Sequence, residues 1–245
     1  VNKIEKLWYR LTYNQTINKQ FTASYYEDLL FKWGEEYGFI DFYEKGNGII
    51  LRKDVDDNLD KAVKMAEIDK KVNDNLNRTM FLHENKPFIK STYFILNTAK
   101  YWNSKELIPI ILYIQDLGYE IGFHNNAITD HIKTGRDIES CIREPLDYLR
   151  KNGIIIRGTA AHGDRLCKQM RFINYNIWGF KTPGYEYWKG PFLNLSDYDL
   201  EYEAYNIPYD YYLADSHEKW NGYKNESQWK DKRIQVVIHP QNWRI

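Results

Sequence analysis

Cysteine is scarce: Cys141 and Cys167 are the two in 245 residues. They fall on different predicted elements and have no C-x-x-C spacing, so free thiols in a reducing compartment are expected, and a cytoplasmic location with them. An excess of either charge is also missing. Lys+Arg and Asp+Glu both number 34. A neutral balance supplies no general electrostatic pull toward nucleic acid or acidic membranes, and no nucleic-acid partner is expected. No apolar run is long enough to cross a bilayer, so no membrane span is expected, and these residues show no leader-type pattern. Internal repeats and low-complexity segments are absent as well.

Aromatic residues are abundant, with 21 Tyr and 8 Trp. Their faces stack on sugar rings and their polar tips bond hydroxyls, although the same residues also fill core edges. Mean hydropathy is low, yet 43% of residues are apolar, which fits a folded protein with a wet, aromatic-rich surface. The length suits one domain of α/β-barrel size or two small ones. The expectation is one domain over residues 1–245, with 1–46 as an N-terminal segment packed on the barrel.

Strand and helix patterns alternate. TASYYEDLLFKWGEEY (22–37) reads as a helix that Ser24 can cap, with Gly38 past its end. GIILR (48–52) is a short apolar run bounded by Gly and charge, hence a buried strand. Residues 58–71 place Leu59, Ala62, Val63 and Ala66 on one helical face. Strands follow at 90–96, 119–123, 154–160 and 235–238. Helices are expected at 107–117, with Pro109 in the first turn, and at 136–151. Residues 175–215 read as short strands and loops. Apolar strands joined by helical crossovers imply a parallel sheet, whose functional residues lie just beyond the strand C-termini.

The polar candidates fall there. GIILR runs into Lys53-Asp54-Val55-Asp56-Asp57, YEIGF into His124-Asn125-Asn126, IIIRGTA into Ala161-His162-Gly163-Asp164, and QVVI into His239-Pro240. Alternate residues of an extended chain share a side, so Asp54 and Asp56 point to one place. Two close carboxylates repel unless a proton or cation intervenes. One can then hold a cation while the other acts as a base. The other reading is a solvated acidic turn capping the next helix at Asp57 or Asn58. His124 suits zinc and related metals through its ring nitrogen, and Gly122 lets backbone approach. His239 can protonate a leaving group, or can be a packed histidine held by Trp243 and the C-terminus. His83, His131 and His217 read as solvent-exposed.

The segments ILRKDVD (50–56), KAVKMAEI (61–68), KSTYFIL (90–96) and LGYEIGFHNN (117–126) resemble the polysaccharide deacetylase-like (NodB-homology) family, whose patterns are roughly LRHDVD, a helix with A–MA–IE, STYFF and LGHEIGYH. The likeness covers about residues 22–163, and VVIHPQNW (236–243) adds a point near the end. It implies a distorted (β/α) barrel of the NodB-homology type. It further implies Asp54 as general base, Asp56 and His124 as ligands of a divalent metal, usually zinc, and His239 as general acid. The activity would be removal of an N-acetyl group from a sugar or polysaccharide, with carbohydrate as the partner.

Three positions depart from the family pattern. Lys53 stands where relatives often carry His. Ile128 occupies the position of a second His four residues after His124. His131, were that stretch helical, would lie roughly 10 Å along the axis, too far to share an ion. An Arg-x-Pro motif is not evident, and AAHGDR (160–165) holds its region, so His162 or Asp164 can fill that role and His162 can complete the metal shell. Two other functions stay open: a degenerate domain that binds glycan without cleaving it, and a metal-free enzyme using the Asp54/Asp56 pair for glycoside cleavage.

Overall fold

A computed structural model describes residues 21–79, 89–180, 185–216, 219–222 and 225–245. The chain runs α1 (Ala23–Glu36), β1 (Gly48–Val55), α2 (Leu59–Thr79), β2 (Ser91–Leu96), α3 (Leu107–Asp116), β3 (Glu120–Asn125) and α4 (Ala127–Thr134). It continues through α5 (Ser140–Lys151), β4 (Ile156–Ala161), α6 (Arg165–Met170), β5 (Tyr202–Glu203), β6 (Tyr211–Ala214), β7 (Asn221–Gly222) and β8 (Arg233–Ile238). The strands form one sheet in the order β5-β4-β3-β2-β1-β8-β6-β7. Every pairing is parallel except the antiparallel β6–β7 edge. The fold is therefore α/β, with a curled, mostly parallel sheet that forms a half-barrel.

The two faces of the sheet follow from the two-residue period of its strands. Ile49, Leu51, Val55, Tyr93, Ile95, Ile121 and Phe123 enter the main apolar core beside Trp33 of α1, Met65 of α2, Ile111 of α3 and Leu146 of α5. The opposite phase, Ile50, Phe94, Ala160 and Tyr202, forms a small cluster inside the curl with Phe42 and Ala204. Gly122 and Gly158 make that interior possible. A Cβ at Gly122 would sit 2.4 Å from the Phe94 ring, and one at Gly158 2.0 Å from Tyr202. Gly122 thus admits a ring from the next strand, not a backbone segment. Beyond this plug, toward the strand C-termini, the inner face turns polar.

Lys53 faces the helices, not the polar end. It is fully buried and pairs with Asp69 of α2. Its Nζ also donates to Ser91 Oγ at 3.1 Å and Tyr93 OH at 2.9 Å. Tyr26 OH donates to Asp69 Oδ1 at 2.6 Å. Burial pulls the Lys53 pKa down to about 8 against the opposing pull of Asp69. Lys53 therefore anchors β1 to α2, and its replacement of His lies outside the polar site.

Several element boundaries move outward from the sequence expectation. β1 extends to Val55 and β3 to Asn125, because neighbouring strands supply hydrogen bonds that composition does not announce. α4 occupies a stretch with no expected element. It places Ile128 in the main core. The cap of α1 is Thr22 and not Ser24: Thr22 Oγ1 accepts from Tyr25 N at 3.2 Å. Thr22→Ala is expected to lower stability by about 1 kcal/mol, read as a shift in the urea midpoint. No helix among the described residues is long and apolar enough to cross a membrane. Both cysteines are free and buried. His83 and His217 lie outside the described residues.

Candidate metal centre

Asp54 is the next-to-last residue of β1, and Asp56 follows the strand. They share the inner face, as the alternation requires. Asn58, one of the two cap positions expected, caps α2: its Oδ1 accepts from Lys61 N at 3.0 Å. Arg52 shares their phase. It is fully buried and grips Asp54 with two parallel bonds, Nε to Oδ1 and Nη2 to Oδ2, both 2.6 Å. Burial pushes the Asp54 pKa up, but Arg52 and His124 outweigh it and hold the carboxyl below its ordinary value. A guanidinium thus holds Asp54, supplied from two residues upstream on its own strand.

His124 sits on β3 and is 1% exposed. Its Nδ1 lies 2.8 Å from Ala160 O. A carbonyl only accepts, so Nδ1 carries the proton, and in the neutral ring Nε2 presents a bare lone pair. That lone pair faces Asp56 Oδ1 at 3.2 Å and Asp54 Oδ2 at 3.5 Å. Lone pairs so placed repel unless a proton or a cation lies between them. His162, one residue past β4, brings its Nε2 to 3.8 Å from the same Asp56 oxygen. Its backbone is fixed by His162 N donating to Asn125 O at 2.8 Å.

Asp56, His124 and His162 each offer one ligand atom, and these atoms lie within 4.8 Å of one another. Ligands about 2.0–2.1 Å from a tetrahedral zinc are roughly 3.4 Å apart, close to the 3.2 and 3.8 Å that separate Asp56 Oδ1 from the two rings. Asp56 Oδ1 and His162 Nδ1 are buried without a hydrogen-bond partner. A buried carboxylate oxygen left orphaned between two imidazoles fits a cation better than an unfilled gap. Burial, then His124, lowers the His162 pKa to about 4, so its ring is neutral, as a ligand must be. Burial raises the Asp56 pKa, yet the three histidines hold it at about 2. The set of one carboxylate and two imidazoles matches three-ligand sites that keep a position open for substrate or water.

His239 follows β8 and enters from the other side. Asp215, one residue past β6 and fully buried, holds it three ways: His239 Nδ1 donates to Oδ1 at 2.6 Å, and its backbone N–H reaches both oxygens at 3.0 and 2.9 Å. Trp243 Nε1 donates to Asp215 Oδ2 at 2.7 Å. His239 is thus packed through Asp215, which Trp243 also holds, and it still lines the cavity. With Nδ1 occupied, Nε2 is the free end, 3.9 Å from Asp56 Oδ2. Burial lowers the His239 pKa, but Asp215 outweighs it and lifts the ring to about 9. Gln241 Nε2 donates to Asp56 Oδ2 at 3.1 Å.

All five sequence candidates, Asp54, Asp56, His124, His162 and His239, line one cavity of about 350 Å³ with Tyr205, Tyr212 and Lys168. Asp164 is not among them; it caps α6 through Leu166 N at 2.7 Å. His131 turns away and bonds Arg136 O at 2.6 Å, and it is partly buried, not solvent-exposed. Sequence reasoning missed Arg52, Asp215 and Gln241. The signal for Arg52 was present in the alternation that paired Asp54 with Asp56. Family models, curated proteins and solved structures give no match to this chain.

Proposed function

We propose that the chain is a divalent-metal-dependent deacetylase of N-acetylated sugars, with the half-barrel as a distorted (β/α) barrel of the NodB-homology type. The observation that carries this reading is the orphaned Asp56 Oδ1 between the Nε2 atoms of His124 and His162, faced by a histidine locked on Asp215. Asp56, His124 and His162 would hold the ion, zinc by donor type. A divalent cation there supplies Lewis acidity toward an amide carbonyl and acidifies water.

The chain's own residues do the rest. Asp54, kept ionised by Arg52, accepts a proton from the attacking water. His239 delivers a proton from Nε2 to the departing nitrogen as the C–N bond breaks, while Asp215 retains the Nδ1 proton. Water adds across the amide, giving acetate and an amino sugar. The two free, buried cysteines suit a cytoplasmic setting.

The carboxylate-pair reading is less well supported. Glycoside cleavage needs one carboxyl protonated, with a raised pKa, whereas Asp54 and Asp56 are both held below the ordinary carboxylate range. Binding without turnover draws on one observation: Arg52 engages both oxygens of Asp54, which weakens it as a base.

The test is metal analysis of the purified chain together with acetate release from N-acetylglucosamine oligomers. Stoichiometric zinc or a related ion, lost in Asp56→Ala, and acetate release abolished by chelator are expected. A metal-free chain that releases no acetate after metal is added back would sink the proposal. Glycan binding by such a chain would favour the degenerate domain.

A further inference from the structure

Glu203 ends the two-residue strand β5 and is 1% exposed. Neither the ligand set nor the proton transfers proposed above use it. Its Oε2 accepts from Tyr205 N at 2.7 Å and so caps the turn Ala204–Asn206. Its Oε1 accepts from Ala161 N at 2.9 Å. A buried carboxyl is costly without donors, and here each oxygen has one. Burial pushes the Glu203 pKa up to about 8, against the pull of Arg52 and of the backbone donors.

β4 lies between β3 and β5 in the sheet. The peptide joining Ala160 to Ala161 is trans, so its C=O and N–H point to opposite sides. On the β3 side, Ala160 O accepts from His124 Nδ1 at 2.8 Å. On the β5 side, the Ala161 N–H donates to Glu203. One amide plane thus links Glu203 to His124. The following N–H, of His162, donates to Asn125 O at 2.8 Å. Residues 160–162 therefore carry contacts that fix both imidazoles of the candidate centre.

We propose that Glu203 is a positioning residue for the metal centre: through the Ala160–Ala161 peptide it fixes the His124 ring and strengthens Nε2 as a donor to the cation. The proposal rests on the metal-centre reading for its effect on the ion, and on the hydrogen-bond chain alone for its effect on the ring. An acceptor on an amide N–H shifts amide electron density toward the carbonyl oxygen, and hydrogen bonds in such a chain strengthen one another. The Ala160 carbonyl then holds the Nδ1 proton of His124 more firmly, and Nε2 becomes more basic. Ligating histidines ordinarily take this support from a carboxylate, carbonyl or water in direct contact. Here the carboxyl acts one peptide further out, whereas Asp215 touches His239 directly. A residue that only capped the turn would need the Tyr205 contact and not the Ala161 one.

Glu203→Asp separates the two roles. An Asp side chain bonds the backbone two residues on, so it keeps the Tyr205 cap and the charge near Arg52, but it is one methylene too short for Ala161. Imidazole NMR of the whole, metal-free chain, at a pH above the Glu203 value, gives the first readout. The His124 Nδ1–H proton is expected to move upfield in the variant, as its hydrogen bond weakens, while the His239 Nδ1–H proton stays. Competition with a chromophoric chelator gives the second: zinc should bind about tenfold more weakly, the lower end of what loss of a direct outer partner costs. Glu203→Met, which removes both acceptors, decides the matter if Glu203→Asp does not fold by circular dichroism. A folded variant whose His124 signal is unmoved, or whose zinc affinity equals that of a zinc-binding parent, overturns the positioning role. An unmodified chain that binds no zinc overturns the metal-centre reading, and the imidazole signals then judge the hold on His124 by themselves.

Discussion

Asp54→Asn is expected to slow acetate release by about 10²–10⁴-fold, the usual contribution of a positioned proton acceptor. The substitution keeps the side-chain shape but removes the basic oxygen pair. Its metal content should match the unmodified chain, because Asp54 is not among the three ligand atoms that cluster together. Asp56→Ala should instead lose both metal and activity. That contrast separates a proton-accepting role from a ligand role, and equal metal loss in the two variants would contradict the assignment. A stability control belongs with the rate. Arg52 is buried against Asp54 with both contacts at 2.6 Å, and an Asn amide would turn one donor toward another. Rates are therefore to be compared at a temperature where circular dichroism shows each variant folded. A variant that is folded, metal-loaded and fully active would remove Asp54 from the mechanism.

The second large effect concerns folding. Lys53→Met is expected to destabilise the chain by about 3–5 kcal/mol, the usual result of stranding one partner of a buried ion pair. Asp69 would lose its cationic partner in a fully buried position, with hydroxyl donors from Tyr26, Ser91 and Tyr93 as its remaining partners. The double variant Lys53→Met/Asp69→Asn should recover most of the loss, since the amide oxygen still accepts from those hydroxyls and no unpaired charge remains. Urea unfolding of both variants gives the comparison. A single variant as stable as the parent would show that the pair contributes little to holding β1 on α2.

These two residues show how adjacent positions on one strand serve different ends. Asp54 and Lys53 are neighbours in sequence and lie on opposite faces of the sheet. The sequence carried the period that separates them, and it gave the strand–helix alternation, the parallel sheet and the convergence of the two aspartates. It also carried the placement of histidines at strand ends, since apolar runs stop where polar residues begin. Arg52 was legible in the same alternation and was missed because its charge marked the strand's boundary. In the structure, pairing with β2 and β8 carries β1 through that charge, and burial is tolerated because Asp54 neutralises it.

Other parts of the site have no local signature. Asp215 sits at the end of a four-residue strand in a stretch of short elements, and its importance comes from receiving His239 and Trp243, both more than twenty residues away in the chain. Ile128 is excluded from the site because α4 turns it into the apolar core, a consequence of helix phase. The centre on Asp54, Asp56 and His124 was thus readable from the order of residues along β1 and β3. The third candidate donor, His162, was nominated by the sequence, and the fold brings it to the other two. The sheet curls, and β4 joins β3 through a register shift between Ile121 and Phe123 that pairs Ala160 with His124, so that His162 arrives at the same oxygen as His124. A linear sequence fixes which side a strand residue faces; how far the ends of different strands stand apart is set by curvature and register, which exist only once the whole sheet is assembled.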